Sequence, residues 1–235
     1  TLWDNHRHQL SFHIVNGDYT YEETLDGTAG GIEENYRLYL DRGRSLNRFL
    51  KHVPLLTMFN DHEVTDNIDG SGEVGLGDGN YLVRDPAARI WQYYADWANG
   101  PRRHRAAIRM GTANLKANSD VLHDDTADFS DLTLNQISTL HVGTFFKGDK
   151  KPGAKQRGGR NIGVYRVTEV IDSQRLRIWP AARETNRAPY SVGTHHYFER
   201  QIGNCLFLFL DTRGERARWK GVKHAHAPDR FVLGE

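Results

Sequence analysis

Short apolar runs alternate with helix-spaced apolar positions through the first hundred residues of this 235-residue chain. Leu10 to Val15 predicts a strand that stops at Asn16-Gly17-Asp18, where the residue types favour a turn. Ile32, Tyr36, Tyr39 and Leu40 recur at helical spacing, and Leu46, Phe49 and Leu50 resume the pattern after Gly43. Val53-Pro54 breaks it. Leu55 to Phe59 predicts a second, buried strand, which ends in the polar cluster Asn60-Asp61-His62-Glu63. Five glycines between positions 69 and 79 predict a loop. Asp85-Pro86 predicts a helix start, with the aspartate as N-cap acceptor and the proline at the first helical position. Ile90, Tyr93, Tyr94 and Trp97 then form a stripe expected to pack into the core, and Gly100-Pro101 ends the helix.

After about residue 111 the pattern changes. Asn, Asp, Ser and Thr dominate to Thr133, and strand-like runs follow at Leu140 to Phe146, Gly163 to Ile171 and Arg175 to Trp179. The basic stretch Lys147 to Arg160 reads as a solvated loop. Tyr197 to Ile202 and Asn204 to Leu210 predict a hairpin turning at Gly203-Asn204. The almost purely apolar run Cys205 to Leu210 is expected to be a central strand covered on both faces, with Cys205 an inert core residue. It too ends in a polar group, Asp211-Thr212-Arg213. The expected fold class is therefore α/β, with residues 112–193 forming a small inserted β-rich module between the segments 1–111 and 194–235.

Charge narrows the function classes. Lys and Arg total 31 against 30 Asp and Glu, a formal charge of +1, so no basic excess predicts bulk nucleic-acid binding. No apolar run approaches the roughly 20 residues of a membrane-spanning helix. A single cysteine rules out an internal disulfide framework.

Three strands ending in polar clusters suggest one shared site, because the carboxyl ends of strands form the ligand-binding edge of α/β sheets. Aspartate carboxylates and a tyrosine phenolate are hard oxygen donors suited to Fe(III), Ca, Mn or Mg. Asp18 and Tyr21, three residues apart, can be aimed at one ion by a single turn, with Asp61 supplying a second. His62 beside it is placed to donate a proton to a leaving oxygen or to hold an anion.

These blocks resemble the alkaline phosphatase D-like (PhoD-like) branch of the calcineurin-like metallophosphoesterases. Gly17-Asp18-Tyr19-Thr20-Tyr21-Glu22 is similar to its first block. Val53-Pro54 followed by Asn60-Asp61-His62-Glu63 and Asn67 is similar to the second, and Leu210-Asp211-Thr212-Arg213 to the third. Leu233-Gly234-Glu235 resembles the start of the next helix. The resemblance covers roughly 10–101 and 195–235. It implies two packed β-sheets flanked by helices and hydrolysis of phosphomonoesters or phosphodiesters by metal-activated hydroxide, often outside the cytoplasm (extracellular or periplasmic). It also implies two metal ions, Fe(III) plus Ca or another of Mn, Mg and Zn. Asp18 would bridge them, Tyr21 would bind the ferric ion, and Asp61 would stand where the wider superfamily places an asparagine ligand. His62 would contact the phosphate or leaving group, Asn67 would shape the pocket, and Asp211 and Arg213 would support it.

The family's ligands upstream of the first block and downstream of the last fall outside this sequence. The chain is therefore expected to be either part of a longer protein or a protein whose site is incomplete. The competing reading is a catalytically inactive structural or partner-binding protein, whose inserted module offers strand edges to another subunit or protein. Simpler readings compete at single positions as well. Asp211 and Arg213 suit a plain ion pair, and His224-Ala225-His226, His195-His196, His6 and His8 suit surface or strand positions. Gly70-Ser71-Gly72-Glu73-Val74-Gly75 matches a dinucleotide fingerprint but does not lead from a strand into a helix, so it predicts no nucleotide cofactor.

Overall fold

The computed structural model describes residues 5–6, 8–21, 29–42, 44–64, 74–75, 83–100, 106–143 and 158–214. The strand-like run at the start becomes β1 (His13–Val15), which pairs in parallel with β2 (Leu55–Thr57), His13 opposite Leu55 and Val15 opposite Thr57. Parallel partners need a long crossover, and α1 (Ala29–Arg42) and α2 (Arg44–Leu50) lie within it. Ile32 and Tyr36 of α1 meet Ala87, Ala88 and Trp91 of α3 (Arg84–Tyr94) in a buried cluster that also takes Phe59 and Val64. Phe59 and Val64 flank the polar cluster 60–63, so this core fixes the loop after β2.

The helix α3 differs from expectation at both ends. Val83, not Asp85, is its N-cap, and Asp85 lies inside the first turn, fully buried. The helix ends at Tyr94, before Gly100; its inward face is Ala87, Ala88 and Trp91, which leaves Tyr93 at 74% exposure, and Trp97, in the 3₁₀ turn Asp96–Asn99 that follows, is 69% exposed. The aromatic stripe is therefore only partly core.

Six strands form a closed antiparallel barrel: β3 (Arg109–Leu115), β4 (Val121–His123), β5 (Ile137–Val142), β6 (Gly163–Val170), β7 (Arg175–Trp179) and β8 (Asn186–Thr194). Their order around the barrel is β3-β4-β7-β6-β5-β8, with β8 pairing on both β3 and β5. Closure leaves no free edge, and a barrel this small is filled by its own side chains. Leu122, Leu140, Val142, Leu176, Ile178 and Val192 fill it.

This architecture corrects the expected one. The chain is rich in β-structure, with three helices and a closed barrel among the described residues, and not a pair of packed sheets flanked by helices. The strands β3, β4 and β8 escaped the sequence pattern because their inward positions are small or few, such as Ala113 and Ala188, between polar neighbours. Without them the β-runs look like open sheet; with them the sheet shuts on itself. The second correction is β10 (Cys205–Phe209). It forms the expected hairpin with β9 (Phe198–Ile202), and Phe198 stacks on Phe209 at 4.3 Å. Among the described residues β9 is its only strand partner, so Leu206, Leu208 and Leu210 stand 61%, 66% and 56% exposed and Cys205 is exposed as well. Among the described residues no helix is long and apolar enough to cross a membrane.

The barrel is joined to α3 through the buried Asp85 carboxylate. The Asp85 carboxylate lies 2.9 Å from His141 Nδ1 on β5, accepts the Ser191 hydroxyl of β8 at 2.6 Å, and lies 3.2 Å from Arg84 Nη1. A side chain at Gly193 would press on Asp85 Oδ1. Burial opposes ionisation of Asp85, yet His141, Arg84 and Ser191 outweigh it and hold the carboxyl at about 2, below its ordinary 3.8. A depressed carboxyl contributes stability above its unfolded pKa and loses it as pH falls toward the folded value. The urea midpoint is thus expected to drop between pH 4 and pH 2, and to drop less in Asp85→Asn. At pH 7, Asp85→Ala leaves buried partners unmatched and is expected to cost about 3 kcal/mol in urea unfolding.

Candidate metal centre at the strand tips

Parallel pairing of β1 with β2 brings their two C-terminal tips side by side. Gly17, at φ +83°, has no room for a side chain because Asn60 sits against it. Asp18 follows at φ +57°, a conformation that aspartate tolerates better than most residues. This reversal turns the Asp18 carboxylate toward the second tip, where Asn60 Nδ2 donates to its Oδ1 at 2.9 Å.

Glu63 ties the two tips together. Its buried carboxylate accepts the backbone N–H of Tyr19 at 2.5 Å through Oε1 and that of Asn60 at 2.8 Å through Oε2. Burial pushes the Glu63 carboxyl up, while backbone N–H bonds from Tyr19, Asn60 and Asp18 pull it back. The turn after β2 is closed by the Val64 N–H on the Asp61 carbonyl at 2.8 Å.

With the tips fixed, the Asp18 and Asp61 carboxylates and the His62 imidazole each place a possible ligand atom within 4.8 Å of the others. Asp61 is nearly inaccessible, whereas Asp18 and His62 are half-buried. Tyr21 completes the group from the first tip. Its hydroxyl donates to Asp18 Oδ2 at 3.0 Å and its ring lies on His62, 4.5 Å between centroids. The hydrogen bond to Asp18 holds the Tyr21 phenol in its protonated form by raising its pKa. A cation binding there through Tyr21 must displace that proton.

The third tip contributes Arg213. Its Nε donates to Asn60 Oδ1 at 2.8 Å and its Nη2 lies 3.3 Å from Asp61 Oδ2. Asp211 faces elsewhere, accepting the Arg213 backbone N–H at 3.2 Å and sitting 3.5 Å from the buried Arg84 guanidinium.

Of the sequence candidates, the structure brings Asp18, Tyr21, Asp61, His62 and Arg213 together. Asn67, His224 and His226 lie outside the described residues, as does most of the glycine-rich fingerprint. His196, expected at the surface or on a strand, is buried between the rings of Phe59 and Trp91. The sequence reading missed Asn60 and Glu63 as working residues, although both stand inside the motif it singled out. It also missed Arg84, for which no local signal exists.

Two carboxylates, an imidazole and a phenol suit a hard or borderline cation. The group has the size for one ion. Among the described residues no second cluster of three His, Cys, Asp or Glu ligands accompanies it.

Glu63→Gln retains one acceptor but turns an amide NH₂ against a backbone donor. It is expected to cost about 2 kcal/mol and to speed hydrogen exchange at the Tyr19 and Asn60 amides. Barrel amides such as those of β5 and β6 are expected to keep their protection. Equal loosening everywhere would show that Glu63 serves the whole fold and not the two tips.

No protein-family model, no curated protein and no solved structure matches this chain.

Proposed function

We propose that the chain is a metal-dependent phosphoesterase whose site lies at the three strand tips. The observation carrying this reading is the convergence of Asp18, from the tip of β1, with Asp61 and His62, from the tip of β2, their ligand atoms within 4.8 Å of one another, with Arg213 at the border. These residues stand in the blocks that resemble those of the PhoD-like metallophosphoesterases, which supports the activity, although the architecture that the resemblance implied is not the one found.

Asp18, Asp61 and His62 would hold the cation, with Tyr21 able to join once its proton is lost. A bound cation of this kind supplies Lewis acidity toward a phosphoryl oxygen and lowers the pKa of a water. The chain's own groups do the rest. The planar Arg213 guanidinium offers paired N–H donors to a phosphate oxygen, and its present partner Asp61 holds it beside the centre. Asn60 bridges Asp18 to Arg213, fixing the distance between cation ligand and anion contact. His62, as a ligand through one ring nitrogen, would present the N–H of the other to a phosphate oxygen, its half-buried ring held against Tyr21. The second ion implied by the resemblance would need ligands from beyond the described residues.

A catalytically inactive, partner-binding protein is the second reading, and the exposed Leu206, Leu208 and Leu210 of the β9–β10 hairpin favour it.

The two readings separate on metal and turnover. Titration with Mn(II) or Fe(III) is expected to saturate at one tight equivalent, and Asp18→Asn is expected to lower both metal affinity and hydrolysis of an aryl phosphate ester by at least about a hundredfold. Circular dichroism of that variant should match the parent. Absence of metal binding and of hydrolysis in the parent would favour the partner-binding reading. With ferric iron bound, a visible phenolate absorption is expected that Tyr21→Phe removes.

A further inference from the structure

Arg84 is a buried charged group with incomplete hydrogen bonding. It is 1% exposed, it opens α3, and its Nε and Nη2 lack hydrogen-bond acceptors there. What it has is two carboxylates. Nη1 lies 3.2 Å from Asp85 Oδ1 and Nη2 lies 3.5 Å from Asp211 Oδ2. A buried cation at such distances, without full hydrogen bonding, is retained only where charge neutralisation outweighs desolvation. Here it separates two buried anions that would otherwise repel.

The two carboxylates belong to different parts of the molecule. Asp85 is anchored in the barrel by His141 and Ser191. Asp211 shapes the turn at the end of β10, its Oδ1 accepting the N–H groups of Arg213 and Gly214. Gly214 has no space for a side chain, because Arg84 Nη2 and Asp211 Oδ2 both occupy it. The same turn aims the Arg213 guanidinium at Asn60 and Asp61, and Asn60 in turn holds Asp18. The contacts therefore run unbroken from the barrel wall, through Asp85, Arg84, Asp211 and Arg213, to the candidate ligands.

We infer that Arg84 is a positioning residue: it latches the 211–214 turn to the barrel-anchored Asp85 and thereby sets where Arg213 presents its guanidinium to an anion. The Arg213 role rests on the phosphoesterase reading above; the latch itself does not. Arg84 is too deep to touch a substrate, and the barrel acquires a part in the site through it.

The test reads Arg213 directly. The Arg213 Nε–Hε signal in ¹⁵N spectra, assigned by its loss in Arg213→Lys, reports the bond to Asn60. In Arg84→Met this signal is expected to move, and its exchange with water to quicken about tenfold, while barrel core methyl signals stay in place. Gly214→Ala, which pushes on the same guanidinium without removing its charge, is expected to move the signal likewise and stands in if Arg84→Met fails to fold. An unchanged Arg213 signal in either folded variant overturns the inference. Inorganic phosphate binding to the Mn(II)-loaded protein gives the second readout. Arg84→Met is expected to weaken it about fivefold in the parent and not at all in Arg213→Met, because the two residues act in series. Equal weakening in both backgrounds overturns the inference. A parent that binds no phosphate, but whose Arg213 signal still moves, supports the latch and refutes the phosphoesterase reading.

Discussion

The buried Glu63 carboxylate is the constraint on which the rest of the site depends. Two parallel strands end side by side, but nothing in β-pairing dictates how the chain leaves them. Glu63 accepts backbone N–H groups from both exits, at Asp18 and Tyr19 on one and at Asn60 on the other, and so makes two independent turns into one platform. Asp18, Tyr21, Asp61 and His62 are all within three residues of those bonds. Their mutual approach follows from it. The close contact of Gly17 with Asn60 is the steric counterpart of the same bonds, since any side chain there would hold the tips apart.

A second buried carboxylate, Asp85, shows how surroundings decide the behaviour of the same chemical group. Glu63 is surrounded by backbone donors in a buried place, and burial prevails, raising its pKa. Asp85 is equally buried but faces His141, Arg84 and Ser191, and their interactions with the carboxylate prevail, lowering it to about 2. The one organises the strand tips; the other fastens α3 to the barrel. Arg84 stands between Asp85 and Asp211, which places the candidate centre and the barrel in one chain of polar contacts.

Much of the local structure was legible. Arg175 to Trp179 is read to the residue as β7, and the β9–β10 hairpin turns where Gly203 and Asn204 predict it. Gly203 at φ +58° shows why glycine is wanted there. Helical spacing likewise located α1 and α2. What misled was the inference from apolarity to burial. Cys205 to Leu210 is apolar enough for a central strand, yet burial requires a neighbouring layer, which the described residues do not supply. Conversely β3 and β8 are polar or small along much of their length and become strands because barrel closure gives each a partner on both sides.

The sequence by itself determined which residues carry hard oxygen, imidazole and guanidinium groups, and that they stand at strand ends, because turn-forming residues and such groups occur together in each block. It could not determine the fold class, since closing a barrel is a property of pairings between residues tens of positions apart. Nor could it find Arg84 or Asp85. A buried ion cluster is defined by groups from four separate elements, and each of them, read along the chain, looks like an ordinary surface residue. Only the tertiary structure excludes water from them, and with water excluded their charges must answer one another.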